Sequence, residues 1–132
     1  MNLNTQLLPE KYTQSPEDET IQRIYEAKKQ LGDDLLILGH HYQMDSIIQF
    51  ADLRGDSLKL SKQAAQNDLA KYIVFCGVHF MAESADMLTR SDQKVILPDV
   101  DAGCSMADMA NLAKVEKAWA ELSSIIEPDE HI

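Results

Sequence analysis

The sequence predicts an α/β fold built on a short parallel sheet, and three observations carry that prediction. Leu35-Leu36-Ile37-Leu38, Tyr72-Ile73-Val74-Phe75 and Val95-Ile96-Leu97 are short, unbroken apolar runs of the kind that suit strands buried on both faces. Helix-patterned stretches separate them, residues 46–52 and 56–66 in the first gap and 81–90 in the second. Strand, helix, strand, helix, strand is the pattern of right-handed crossover units. Each apolar run is also followed by a glycine-bearing polar segment, as at the carboxyl edge of such a sheet.

The elements follow in order. Residues 1–15 are polar and weakly patterned and are expected to form a flexible arm. Ser15-Pro16-Glu17-Asp18 reads as a helix start, with Ser15 as the cap, Pro16 at the first helical position and acids at the positive end of the dipole. Ile21, Ile24, Tyr25 and Leu31 mark one apolar face, and Gly32 supplies the stop. Asp56 is placed to cap the helix that follows it. After Cys104 the chain reads as helical to the end. Leu112, Val115, Trp119, Leu122 and Ile126 form one stripe, expected to pack in a core, and Pro128 is expected to end the helix. No repeat or low-complexity segment interrupts this order.

Composition narrows the function classes. The 132 residues suffice for one domain with its own core. Apolar residues at 45% and charged residues at 26% match a globular protein rather than a disordered one. The formal net charge of −10 disfavours binding to a nucleic-acid backbone. No apolar run is long enough to span a membrane, and the first residues lack a basic segment followed by an apolar one, so a cytoplasmic protein is expected. Cys76 and Cys104 lie far apart without a Cys-x-x-Cys motif, which in a reducing compartment means free thiols or metal ligands.

The candidate chemistry sits after the three apolar runs. Gly39-His40-His41-Tyr42-Gln43 brings imidazoles and a phenol that can orient carboxylates or move protons. Alternation would send His40 and Tyr42 to one side of the strand and His41 to the other. A bare His-His pair is more often a simple strand end than a site. Gly55-Asp56-Ser57-Leu58 could hold an anion at a helix start, or could be ordinary capping by Asp56. Cys104 follows Gly103 and precedes a helix, where a thiol is more acidic, although a small buried hydrophobe is as common a meaning. Cys76 is expected to pack, and His79 to be a satisfied polar residue.

Four segments together resemble quinolinate synthase in order and spacing. They are Leu36-Ile37-Leu38-Gly39-His40-His41-Tyr42-Gln43, Phe50-Ala51-Asp52-Leu53-Arg54-Gly55-Asp56-Ser57-Leu58, Ile73-Val74-Phe75-Cys76-Gly77-Val78-His79-Phe80-Met81-Ala82-Glu83, and Leu97-Pro98-Asp99-Val100-Asp101-Ala102-Gly103-Cys104-Ser105-Met106-Ala107-Asp108. The resemblance implies three pseudo-symmetric α/β/α sandwich domains, of which residues 16–132 are the first and the second and third are absent. It implies a 4Fe–4S cluster with one cysteine from each domain, Cys104 being the first. It further implies condensation of iminoaspartate, supplied by L-aspartate oxidase, with dihydroxyacetone phosphate to give quinolinate for NAD. By position, His40 and Tyr42 are the family's catalytic and substrate-binding pair, Ser57 a carboxylate-binding serine and Met81 a residue of the pocket wall.

With the other two cluster cysteines absent, the chain alone is expected to hold no stable cluster and to make no quinolinate. Its uncovered face is expected to invite self-association, so a homo-oligomer is an expected state. Two other readings stand beside this one. The first is a metal-dependent hydrolase using His40, His41 and His79 with Asp99 or Asp101 on zinc or manganese. The second is a non-catalytic module that binds a small dicarboxylate.

Overall fold

The computed structural model describes residues 9, 12 and 14–126 of the chain. The expected arm falls mostly on residues outside this set, and so does Pro128. Contacts divide the chain into two compact units, Met1–Pro98 and Asp99–Ile132.

The first unit is a four-stranded, wholly parallel sheet in the order β2-β1-β3-β4, flanked by helices. Its strands are β1 (Leu35–His40), β2 (Leu53–Gly55), β3 (Tyr72–Cys76) and β4 (Lys94–Ile96), and its helices are α1 (Glu17–Leu31), α2 (Asp45–Ile48), α3 (Ser57–Gln66) and α4 (His79–Leu88). The strand pattern expected from the three apolar runs is present, and the three-layer α/β/α class agrees with it. The fourth strand, β2, was not expected. Its three residues Leu-Arg-Gly carry no apolar run, and residues 49–52, read as helix, instead lead the chain into it.

Strand alternation explains both layers. Leu36 and Leu38 sit in register with Ile73 and Phe75, and this row packs with Leu60, Ala64, Met81, Ala82 and Ala85 from α3 and α4. The intervening residues face the other way. A Cβ on Gly39 would meet Ile48 Cδ1 and lie 2.8 Å from Ala51 Cβ, so α2 and its exit cover the second face and need glycine there. Helix α1 joins that side. The Tyr25 ring meets Phe50 edge-on at 5.1 Å, and Lys28 Nζ donates to Phe50 O (2.6 Å) and pairs with Asp52 Oδ1 (2.7 Å). The other Asp52 oxygen accepts from the Ile37 amide at 2.8 Å, tying the helix to the central strand.

Local chemistry sets the helix ends. Gly32 has φ +52°, the left-handed conformation glycine tolerates, and its amide returns to Lys28 O. At the other end α1 begins one residue later than expected. Pro16, not Ser15, holds the cap position, no side chain caps it, and Pro16 O receives both the amide and the hydroxyl of Thr20. Asp56 caps α3 as expected, its Oδ1 accepting from the Lys59 amide at 2.8 Å. Helix α4 opens at His79, two residues ahead of the expected start.

The second unit holds α5 (Ser105–Asp108) and α6 (Leu112–Ser123). The single helix expected after Cys104 is thus broken, because Asn111 caps a new one by accepting from the Lys114 amide at 3.1 Å. The expected core stripe is also corrected. Leu112, Val115, Trp119 and Leu122 are all exposed, Trp119 by 49%, and α6 buries no residue. Periodicity gives an apolar face but not what covers it.

Candidate functional site

Because all four strands run the same way, the exits of β1, β2 and β3 lie along one edge of the sheet. Strand β1 ends at His40, whose side chain continues the row of Leu36 and Leu38 toward the α3 side. The backbone then turns. The His41 amide donates to Gly55 O at 3.2 Å, and the Gln43 amide returns to His40 O at 3.0 Å.

This turn overrides the expected alternation. The ring centroids lie 4.5 Å apart for His40 and His41, 4.9 Å for His40 and Tyr42, and 4.7 Å for His41 and Tyr42. His41 therefore joins the other two rings instead of pointing away, since the strand stops before the alternation can continue. His40 is buried, whereas His41 and Tyr42 are exposed.

The environment of His40 favours its neutral form. Burial is the largest cause, the neighbouring His41 adds to it, and the Asp56 carboxylate opposes both, leaving the pKa below the ordinary 6.5. The Tyr42 amide points at His40 Nδ1 across 3.4 Å. Accepting that proton requires a bare Nδ1, so the neutral ring carries its own proton on Nε2.

The β2 exit comes next. His40 pairs in register with Gly55, which places Asp56 and then Ser57 directly after its partner. Ser57 is half-buried at the first position of α3. The electrostatic reach of Asp56 onto His40 was not legible in the sequence. It depends on β2 lying beside β1, and β2 itself left no hydrophobic signal.

The β3 exit carries Cys76, His79 and Met81. Burial pushes the Cys76 thiol upward, consistent with its packing role. Met81 is buried in the core cluster with Phe75 and Ala82. His79 opens α4.

Cys104 belongs to the second unit. It is half-buried, follows Gly103 with extended backbone (φ −133°), and holds the cap position of the four-residue α5. Its single thiol suits one corner of a cysteine-bound cluster, whereas the other thiol, on Cys76, is kept protonated by burial. Among the described residues, no group of three or more His, Cys, Asp and Glu side chains gathers to hold a metal ion, so the hydrolase reading has no ligand set there. Nor is any described helix long and apolar enough to cross a membrane.

The comparisons bear on the same residues. The family described as Quinolinate synthetase A protein matches residues 22–131, a span that contains His40, Tyr42, Ser57, Met81 and Cys104. A quinolinate synthase of Bacillus pumilus is 54% identical over 124 residues, covering 94% of this chain and 34% of that protein. Quinolinate synthases of Bacillus cereus and Bacillus thuringiensis are each 56% identical over 119 residues, covering 90% of this chain and 32% of theirs. The chain spans about a third of the length of the curated relatives it matches.

Proposed function

The chain belongs to the quinolinate synthetase A protein family, and from that premise we propose that it supplies the first of three α/β domains of a quinolinate synthase. In this reading residues 1–15 are an arm and residues 16–132 the domain. The whole enzyme works in the cytoplasm and condenses iminoaspartate from L-aspartate oxidase with dihydroxyacetone phosphate. The observation that carries the reading is the family match itself, which spans residues 22–131 and so most of the chain.

Each residue has a role its chemistry supports. Cys104 would hold one iron of a 4Fe–4S cluster. When bound, such a cluster supplies a Lewis-acidic iron with an open position. The neutral His40 ring presents Nε2–H as a donor to a carboxylate or carbonyl oxygen, its Nδ1 being turned to the Tyr42 amide. The Tyr42 phenol, 4.9 Å away between ring centroids, adds a second proton donor and acceptor. Ser57 offers a hydroxyl at the positive end of the ten-residue α3, a favourable place for a substrate carboxylate. Met81 supports the wall behind these groups from within the core.

Two measurements on the 132-residue chain test the reading. Titration with a four-carbon dicarboxylate such as malate is expected to shift NMR signals of His40, Tyr42 and Ser57, and Ser57→Ala is expected to weaken binding roughly tenfold. Anaerobic exposure to iron and sulfide is expected to leave no stable cluster on this chain alone, because Cys104 supplies one thiolate where a cluster needs three. Absence of shifts at the three residues, or a stable cluster of about four irons per monomeric chain, would overturn the assignment.

A further inference from the structure

We propose that His41 is a positioning residue, which holds the rings of His40 and Tyr42 together as one three-ring cluster on the sheet edge. The functional meaning of this role rests on the reading of His40 and Tyr42 as substrate-side groups; the geometry stands without it.

Three observations point the same way. The His41 backbone is anchored to β2 through its amide and Gly55 O, so its ring projects from a fixed point rather than a free loop. That ring meets both neighbours, lying 4.5 Å from His40 and 4.7 Å from Tyr42, the latter nearly perpendicular at 87°. Tyr42 is 85% exposed, so its ring gains little from burial, and the two imidazoles flank it on the open edge.

The charges around His40 give the arrangement a chemical consequence. His41 and Tyr42 face it from its own turn, Asp56 from the β2–α3 junction, and Cys76 lies beside the preceding register position on β3. Burial is the largest influence against an imidazolium at His40, the neighbouring His41 adds to it, and the Asp56 carboxylate favours one. Protonation of His40 would also turn Nδ1 from an acceptor into a donor facing the Tyr42 amide. Burial, with His41 adding to it, outweighs Asp56 and leaves His40 a directional N–H donor beside the phenol, a form suited to holding an oxygen.

The test is long-range 1H–15N spectroscopy of the histidines in the 132-residue chain, followed from about pH 5 to 9. The parent is expected to carry the His40 proton on Nε2. His41→Phe keeps a ring and removes the titratable group, so His40 is expected to bind a proton about threefold more tightly while the Tyr42 ring signals stay in place. His41→Asn removes the ring as well and is expected to move the Tyr42 ring signals toward those of a freely exposed tyrosine. Asp56→Asn preserves the cap and is expected to shift His40 in the opposite direction, toward weaker proton binding. A His40 titration unchanged by His41→Phe, a Tyr42 ring indifferent to His41→Asn, or a His40 proton on Nδ1 would overturn the proposal. None of these readouts requires turnover or dicarboxylate binding. A chain that failed the malate titration yet showed the coupling would refute the quinolinate reading and leave this one intact.

Discussion

His40 is the last residue of a six-residue central strand, flanked on both sides by other strands and backed by a core that includes Leu38, Phe75 and Leu60, each with no exposed surface. Cys104 precedes a four-residue helix in a unit where none of the described residues is buried. The ring cluster is thus preorganised by its own unit, while the thiol receives little such support from its own. For a site that must hold groups to within a fraction of an ångström, the first arrangement supplies position directly. The second supplies a reactive group whose geometry its own packing does not fix.

Destabilising each region separately tests that contrast. Phe75→Ala, made at a fully buried position, is expected to cost about 3–5 kcal/mol in urea unfolding, whereas Trp119→Ala should cost about 0.5 kcal/mol or less. A comparable cost at Trp119 would break the comparison. Gly39→Ala forces a Cβ onto Ile48 and Ala51 and should cost roughly 1–3 kcal/mol, with shifted His40 signals as β1 adjusts. Asp56→Ala removes the α3 cap and should cost about 1 kcal/mol, and Asp56→Asn should restore most of it.

The smallest effect is on pH. His40 is depressed below its ordinary 6.5, so the unfolded chain takes up a proton that the folded chain resists. Its contribution to stability is full above pH 6.5 and is lost as pH falls from there toward the folded-state value. The urea midpoint should drop over that window in the parent chain. In His40→Asn that part of the drop should disappear, which sharpens the comparison by isolating one buried group.

Hydrophobic runs made three of the four strands legible, because a strand buried on both faces must be apolar throughout. They also made the Gly32 stop and the Asp56 cap legible, since each depends on one residue's local chemistry. What remained hidden depended on partners distant in sequence. Leu53-Arg54-Gly55 becomes a strand only by pairing with Leu38-Gly39-His40. His41 joins His40 and Tyr42 only because the turn closes on β2. Trp119 sits on a helical apolar face, yet nothing in a period of three and four says what, if anything, lies over it. The motif around His40 could be read; its protonation could not, because Asp56 reaches it through an adjacency the sequence does not display.

The sheet is broad in the middle and narrow at its margins, with six and five residues in β1 and β3 against three each in β2 and β4. Each marginal strand carries one exposed cation, Arg54 or Lys94. A second molecule seeking to extend the ladder would find only a few open amides and would have to approach a fixed positive charge. The same economy of backbone that concealed β2 from view therefore guards the protein against fibrillar stacking at high concentration.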